Sequence, residues 1–214
     1  MNKFDLHIGA QVHCLDGECG KLAKIAVDPA TFHVTDLIVE KGLLLKQARV
    51  FPFSTVAYAE SEDVHLALYS NDLLNYAEYH EAIIEHPATG WDGRSGYRTE
   101  TANYPILATA YDPSIAVATV RQKIREGLSP ELETVVKGTL IKNTDGIVGK
   151  LSHLLTDPES GEITHLTVQQ GLLFPEHLNI PVDFVKNISE ESIFLSPSYE
   201  ELDDYWQRTQ EYTS

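Results

Sequence analysis

Short apolar runs alternate with turn residues along most of this chain, a pattern typical of β-strands. Val12–Cys14 comes before Asp16 and Gly17, and Leu22–Val27 comes after them. Asp-Gly between two apolar runs is a strong hairpin signal, because glycine accepts the positive φ that a tight turn needs. We therefore expect Asp16 and Gly17 to form a two-residue turn, with Gly17 at positive φ.

The same alternation continues beyond this hairpin and predicts further strands. A turn at Asp28 is followed by an apolar run at Val34–Val39, which ends at Gly42. Phe51–Val56 and Val64–Leu68 are the next runs. So many short strands within about 65 residues are typical of a small antiparallel barrel, because closing a sheet removes its exposed edges.

The chain contains an internal duplication. Residues 9–76 align with residues 138–205 without a gap, at a constant offset of 129 positions. Turn and apolar positions coincide throughout, and an ungapped match of this length indicates a duplicated domain. The recurring glycines are predicted to form structural turns in both copies: Gly17 and Gly146, Gly20 and Gly149, and Gly42 and Gly171.

The motifs of the second copy resemble a known family. They read Asp145-Gly-Ile-Val-Gly-Lys150, then Asp157-Pro-Glu-Ser-Gly161, then Ile163-Thr-His-Leu-Thr-Val168. This succession resembles the PRC-barrel domain, which occurs in the H subunit of photosynthetic reaction centres and in RimM-type ribosome maturation factors. The resemblance implies an SH3-like barrel that serves as a protein-interaction module, with no catalytic residues and no cofactor.

The duplication and the resemblance together predict how the chain is organised. We expect a mainly β protein of two small antiparallel PRC-type barrels joined by a partly helical linker. The first barrel would span residues 1–70, the linker 71–133 and the second barrel 134–197. Residues 198–214 would form an acidic C-terminal tail with helical character.

The linker matches neither copy. Its apolar spacing predicts one helix at Asp72–Ile84 and another at Pro113–Glu126. Between them, the aromatic-rich loop at 91–104 makes Trp91 a candidate partner-binding residue, because Trp and Tyr are frequent anchors of interfaces. The alternative is that the linker is an ordered spacer packed on the barrels.

The net charge of the chain restricts the classes of partner that it is expected to bind. Sixteen basic and 32 acidic residues give a formal net charge of −16, which repels the phosphate backbone of nucleic acids. No apolar run approaches the ~20 residues that span a bilayer, and the first residues lack the apolar stretch of a signal peptide. We expect a cytoplasmic protein with no membrane insertion, at most peripheral association, and no nucleic-acid partner.

The residues that usually carry chemistry form no recognisable motif. His80 and His86 have neither the spacing of a zinc-binding helix nor a common helical face. No nucleophilic serine turn or phosphate-binding glycine loop is present, and the carboxylate pairs fall in polar segments. We therefore predict no catalytic residue, no metal site and no cofactor.

The two cysteines, Cys14 and Cys19, flank the first hairpin. A two-residue turn at Asp16-Gly17 would make them a non-hydrogen-bonded pair, close enough for a disulfide. The second copy has Asn143 and Val148 there, so the fold does not require the bond. We expect reduced thiols.

The copies differ most in charge around the loop that follows the third strand. The first copy has three cations there, where the second has Gln170, Pro175 and Leu178. An apolar ridge with a basic rim suits an acidic partner or the acidic half of another copy, although the leucines could instead plug the barrel. The candidate partner-binding residues are Lys41, Leu43, Leu44, Leu45, Lys46 and Arg49, together with Trp91.

The function that follows is non-enzymatic. We expect a protein-protein interaction or scaffolding module whose partner is another protein or a second copy of the chain. Two alternatives follow from the family: an accessory factor of a photosynthetic or membrane electron-transfer complex, and a factor linked to ribosome or RNA maturation.

Overall fold

The computed structural model describes residues 3–42, 47–60, 62–87, 119–170 and 176–211. These residues are mainly β-strand. They divide into a main body, formed by residues 1–79 and 127–214, and a separate hairpin within residues 80–126. Both copies of the duplicated sequence belong to the main body.

The first repeat forms a curled sheet. A 3-10 corner at Phe53–Thr55 separates its fifth and sixth strands along the chain, and a 3-10 turn at Ser70–Asn75 follows the sheet. The strands are β1 (Phe4–His7), β2 (Gln11–Cys14), β3 (Gly17–Asp28), β4 (His33–Lys41), β5 (Gln47–Pro52), β6 (Val56–Glu60) and β7 (Asp63–Leu66). Within the sheet, their order is β5-β4-β3-β2-β7-β6.

The predicted linker helices are wrong where the chain is described. Strands β8 (His80–Pro87) and β9 (Thr119–Glu126) form an antiparallel hairpin instead, and only Ser70–Asn75 is helical, as a 3-10 turn. The hairpin places Glu81 opposite Arg125, and cross-strand pairs of opposite charge stabilise a sheet. Pairing between distant segments therefore overrides the helical spacing of each segment. Residues 113–118 lie outside the described residues.

The second repeat follows the same plan. A 3-10 corner at Val182–Phe184 occupies the place of the first corner. The remaining elements are β10 (Glu133–Val136), β11 (Leu140–Asn143), β12 (Gly146–Thr156), β13 (Ile163–Gln170), β14 (Glu176–Pro181), β15 (Val185–Ile188), β16 (Ser192–Leu195) and the helix α1 (Tyr199–Glu211). The sheet order is β14-β13-β12-β11-β16-β15.

The expectation that both copies share one strand order is confirmed, since every strand of the second sheet lies at the predicted offset from its counterpart. The prediction of purely antiparallel sheets is wrong for one pair in each repeat. Strand β7 pairs with β2 in parallel, and β16 pairs with β11 in parallel. At the 3-10 corner the chain passes from β5, at one end of the strand order, to β6, at the other end. The last strand, β7, therefore pairs with the edge of β2 opposite β3.

The two repeats exchange a strand, which the sequence did not predict. β1 precedes the first sheet in the chain but pairs with β12, and β10 precedes the second sheet but pairs with β3. These two strands occupy equivalent positions of the duplication. A bridge between His33 and Glu162, themselves equivalent positions, completes an approximately two-fold contact.

One hydrophobic core runs through both repeats. Leu6 of β1 and Val135 of β10 are fully buried in it, each against the sheet of the other repeat. Leu73 and Leu202, which lie beyond the sheets, also join this core. Burying a shared core makes each repeat depend on the other, because neither sheet alone encloses its apolar face.

The hairpin between β2 and β3 confirms one prediction and corrects another. Gly17 has φ 144° and Gly146 has φ 140°, so both occupy positive-φ positions as expected. The turn residues, however, are Leu15 and Asp16, because Cys14 pairs with Gly17. Cys19 is then the extra residue of a β-bulge, between the pairs His13–Glu18 and Val12–Gly20. The predicted cross-strand pairing of Cys14 with Cys19 is therefore wrong.

The expectation of reduced thiols is also wrong, because Cys14 and Cys19 form a disulfide with their Cα atoms 5.7 Å apart. The bulge supplies the reason: it turns the Cys19 side chain into the core, beside the buried Cys14. In the second repeat, the Asn143 side chain closes the hairpin instead. Its Oδ1 accepts hydrogen bonds from the Asp145 and Gly146 amides.

We expect reduction of the disulfide to lower the free energy of unfolding by about 2 kcal/mol, since closing so short a loop restricts the unfolded chain only modestly. Urea denaturation with and without a reductant measures the difference. A Cys14→Asn, Cys19→Val variant, which copies the second repeat, should retain the fold and lose its response to the reductant. An unchanged midpoint on reduction of the wild-type chain would contradict the prediction.

Candidate functional site

A pocket of about 280 Å³ opens on the first repeat. Strands β4 and β5 form one wall, and the 3-10 turn at 70–75 forms another. This volume lies near the lower limit of small-molecule pockets and suits a single side chain of a partner protein. The residues that line it are Cys19, Val39, Lys41, Gln47, Arg49, Phe51, Ser70, Leu73 and Leu74.

Hydrogen bonds join the 3-10 turn at 70–75, which forms one wall of the pocket, to the first hairpin. Asp16 accepts hydrogen bonds from the Ser70 amide at 2.8 Å and from the Ser70 hydroxyl at 2.6 Å. These bonds hold the pKa of Asp16 below its ordinary value. Leu73 then enters the core, while Leu74 remains 73% exposed at the pocket. The hairpin and the turn thus fix an apolar side chain at the pocket entrance.

The two cations of the pocket have different surroundings. Arg49 donates to the Tyr76 carbonyl at 2.6 Å and to the Glu78 carboxylate at 2.8 Å, and its side chain is only 15% exposed. Lys41 is exposed, forms no hydrogen bond or ion pair among the described residues, and acts through its charge on Asp16, whose pKa it helps to lower. Arg49 is therefore a structural cation, and Lys41 is the one available to an acidic group.

The structure brings together only part of the predicted partner-binding site. Lys41 and Arg49 lie on neighbouring strands and line one pocket. Leu43, Leu44, Leu45, Lys46 and Trp91 lie outside the described residues, as does Gly171 of the predicted turns. Sequence reasoning missed Ser70 and Leu74 as pocket residues, because the bonds of Ser70 to Asp16 join residues far apart in the chain.

The second repeat has other residues at the positions of this pocket. Gln170 replaces Lys41, Leu178 replaces Arg49 and Asp203 replaces Leu74. The buried positions, in contrast, remain apolar in both repeats, as at Phe51 and Ile180. The pocket cations are therefore features of the first repeat and are not required by the fold.

A second polar group lies on the outer face of the second sheet. Successive cross-strand pairs of β1, β12, β13 and β14 form one row of residues there: His7, His153, Thr167 and Asn179. The His7 and His153 rings are 4.2 Å apart, and the His153 ring is 6.0 Å from that of His177. With His165, these three histidines form what we call the histidine face. Sequence reasoning missed it because only the strand register unites them.

Polar neighbours anchor the histidine face. His153 Nδ1 lies 3.0 Å from Asp5 Oδ1, and Lys3 Nζ lies 3.1 Å from His165 Nδ1. Burial, and then the charges of His153 and Lys137, lower the pKa of His7. Burial and the charge of Lys3 lower the pKa of His165. The fold therefore favours neutral imidazoles at these two positions.

These shifts predict a fold that weakens in mild acid. An unfolded His7 titrates near 6.5, above its pKa in the folded chain, so the unfolded state binds more protons as the pH falls below that value. The free energy of unfolding should therefore decline between neutral pH and the lower, folded pKa. Urea denaturation at a series of pH values checks this for the wild type and His7→Gln. Parallel pH curves for the two proteins would contradict the assignment to His7.

Within the described ranges, no group of three or more His, Cys, Asp or Glu side chains could hold a metal ion, and no helix is long and apolar enough to cross a membrane. No protein-family model matches the chain, and no curated protein matches it significantly.

Proposed function

We propose that this chain is a cytoplasmic tandem PRC-barrel protein that acts without catalysis, by binding another protein at the pocket of its first repeat. The two sheets would be its barrels, and their exchanged strands would make them one scaffold. The proposal rests on the family resemblance of the motifs and on the contrast between the repeats. They share their buried framework, whereas the exposed Lys41 and Leu74 occur in the first repeat alone.

The pocket suits an acidic or mixed acidic and apolar group. Leu74 and Phe51 supply apolar surface, and the exposed Lys41 supplies a cation at the opening. A carboxylate-bearing segment of a partner, or of another copy of this acidic chain, would meet both requirements. Exposed charges at the rim of an interface chiefly raise the association rate, so binding should weaken as salt increases.

Charge reversal tests this proposal without disturbing the fold. Lys41→Glu with Lys46→Glu removes the cations, while Arg49 keeps its bonds to Tyr76 and Glu78. We expect self-association, or capture of a partner cross-linked to the chain in its native cells, to fall at least about tenfold. The melting temperature should remain nearly constant.

A matched control distinguishes an effect of the charges at the pocket from an effect of the total charge of the protein. Lys150→Glu with Lys186→Glu changes the total charge equally, at exposed positions of the second repeat. It should leave binding unaltered. Equal losses in both double variants would show that only the overall charge matters, and no loss in either would refute the pocket as the docking site.

A further inference from the structure

The outer edge of β5 in the first repeat is already covered by a short extended segment. The Val50 amide donates to the Ala77 carbonyl at 3.0 Å, and the Tyr79 amide donates to the Ala48 carbonyl at 2.8 Å. Glu78 lies between them and bridges to Arg49. Residues 77–79 therefore behave as one added strand, and their pairing removes an exposed edge.

The equivalent edge in the second repeat lacks such a cover among the described residues. β14 corresponds to β5, so the Asn179 amide and the His177 carbonyl take the places of the Val50 amide and the Ala48 carbonyl. The segment equivalent to residues 77–79 is Trp206–Arg208, which is part of α1. Its amides are committed to the helix, so it cannot pair with β14.

The side chains beside the two edges differ in polarity and exposure. In the first repeat, Tyr79 covers Ile38 and Val50, which are buried. In the second repeat, Asn179 and His177 are exposed. The face beside β14 thus offers polar groups where the face beside β5 offers apolar ones.

We propose that the outer edge of β14 binds an extended peptide of a protein partner as an added strand, with a Glu side chain of that peptide over Asn179. This is a second docking site, separate from the first-repeat pocket. The first repeat supplies the template, because one of its own segments makes the same backbone bonds on the equivalent edge. Pairing of a peptide with a sheet edge is a common mode of recognition.

The hydrogen bonds of Asn179 explain the preference for Glu. Its Oδ1 accepts from the Thr167 hydroxyl at 2.8 Å, which orients the amide and leaves both Nδ2 hydrogens as donors. A carboxylate accepts hydrogen bonds from these Nδ2 hydrogens more strongly than the phenol of a tyrosine such as Tyr79 does. The peptide residue at the place of Tyr79 should therefore be Glu.

Amide hydrogen exchange in the full chain tests the edge. In the free protein, the Val50 amide should be protected by Ala77, whereas the Asn179 amide should exchange rapidly. The probe is a synthetic peptide that copies residues 74–81 with Tyr79→Glu, added at about 1 mM. It should slow exchange at Asn179 at least about tenfold and leave Val50 unaffected.

Modified peptides and variants separate backbone from side-chain recognition. Methylating the peptide nitrogen at the place of Tyr79 removes the donor to His177 and should abolish binding. Asn179→Pro, which removes an outward-facing amide at an edge strand, should do the same. Because it also removes the bond to the Thr167 hydroxyl, its melting temperature is compared with that of Asn179→Ala, which loses the same bond and keeps the backbone amide. Asn179→Asp should weaken binding of the Glu peptide at least about tenfold and spare the unmodified copy.

Three outcomes would overturn the proposal. They are protection of the Asn179 amide in the free chain, failure of the Glu peptide to alter its exchange, and binding that survives methylation of the peptide nitrogen. None of them bears on the first-repeat pocket, which the Lys41 variants test separately.

Discussion

The two halves of the chain, residues 1–87 and 119–214, are expected to form no folded monomer when each is produced alone. The first half lacks β10, which pairs with β3, and the second lacks β1, which pairs with β12. Each missing strand would leave a long strand with an open edge and expose the core that Leu6 or Val135 covers. Mixing the halves should restore a folded heterodimer. Circular dichroism melting and sedimentation velocity measure both outcomes.

Point variants test the same dependence in the full chain. Leu6→Ala should lower the free energy of unfolding by about 2–5 kcal/mol, because the side chain is fully buried. Its effect should reach both repeats, which we expect to unfold in one transition. Leu74→Ala, at an exposed position, is the matched control and should cost less than about 0.5 kcal/mol. A folded monomer of either half, or two separate transitions, would contradict a shared core.

Replacing Gly149 with Val should lower the free energy of unfolding by about 3 kcal/mol or more. A Cβ at Gly149 would lie 2.5 Å from Val168 Cγ1 and 2.8 Å from the Gln169 carbonyl oxygen. The obstructing oxygen belongs to the backbone of β13, so the clash cannot be relieved by a rotamer change. Gly20 meets the backbone of β4 in the same way.

Gly146→Val supplies the comparison. A Cβ there meets nothing within 4 Å, so only the strain at φ 140° remains, and the cost should be about 1–2 kcal/mol. Ile147→Val, at a side chain 63% exposed, should cost less than about 0.5 kcal/mol. Urea denaturation of the three variants ranks them. Equal costs at Gly146 and Gly149 would show that the strand β13 shifts to accept the new side chain, so that the clash does not determine the cost at Gly149.

Local pattern predicted the strands of both repeats and the place of each first hairpin, but it put the turn one residue too late. Gly20 and Gly149, which were predicted to form turns, lie within strands β3 and β12. Apolar alternation and the Asp-Gly hairpin signals depend on residues close in sequence. The duplication extends them to the second copy, and the structure follows the predicted offset strand by strand. The recurrence of Gly17 at Gly146 likewise predicted positive φ in both hairpins. Such features can be predicted from the sequence because a strand and its turn are determined mainly by neighbouring residues.

Part of the candidate site could be predicted as well. The charge contrast between the repeats identified Lys41 and Arg49, which do line one pocket. The bonds that occupy Arg49 and leave Lys41 available could not be predicted, because they come from Tyr76 and Glu78, far along the chain. Local spacing mispredicts the hairpin of β8 and β9 for the same reason, because each segment alone has helical spacing.

The sequence alone therefore predicts the repeated order of strands, the positive φ of Gly17 and Gly146, and the unequal charges of the repeats. Which sheet receives β1 and β10 depends on long-range pairing, because Leu6 and Val135 would alternate in the same way in either sheet. Tertiary structure alone likewise decides the bulge that joins Cys14 to Cys19 and the register that gathers the histidine face. Each of these depends on pairing between residues distant in the chain, and local pattern carries no information about the partner strand.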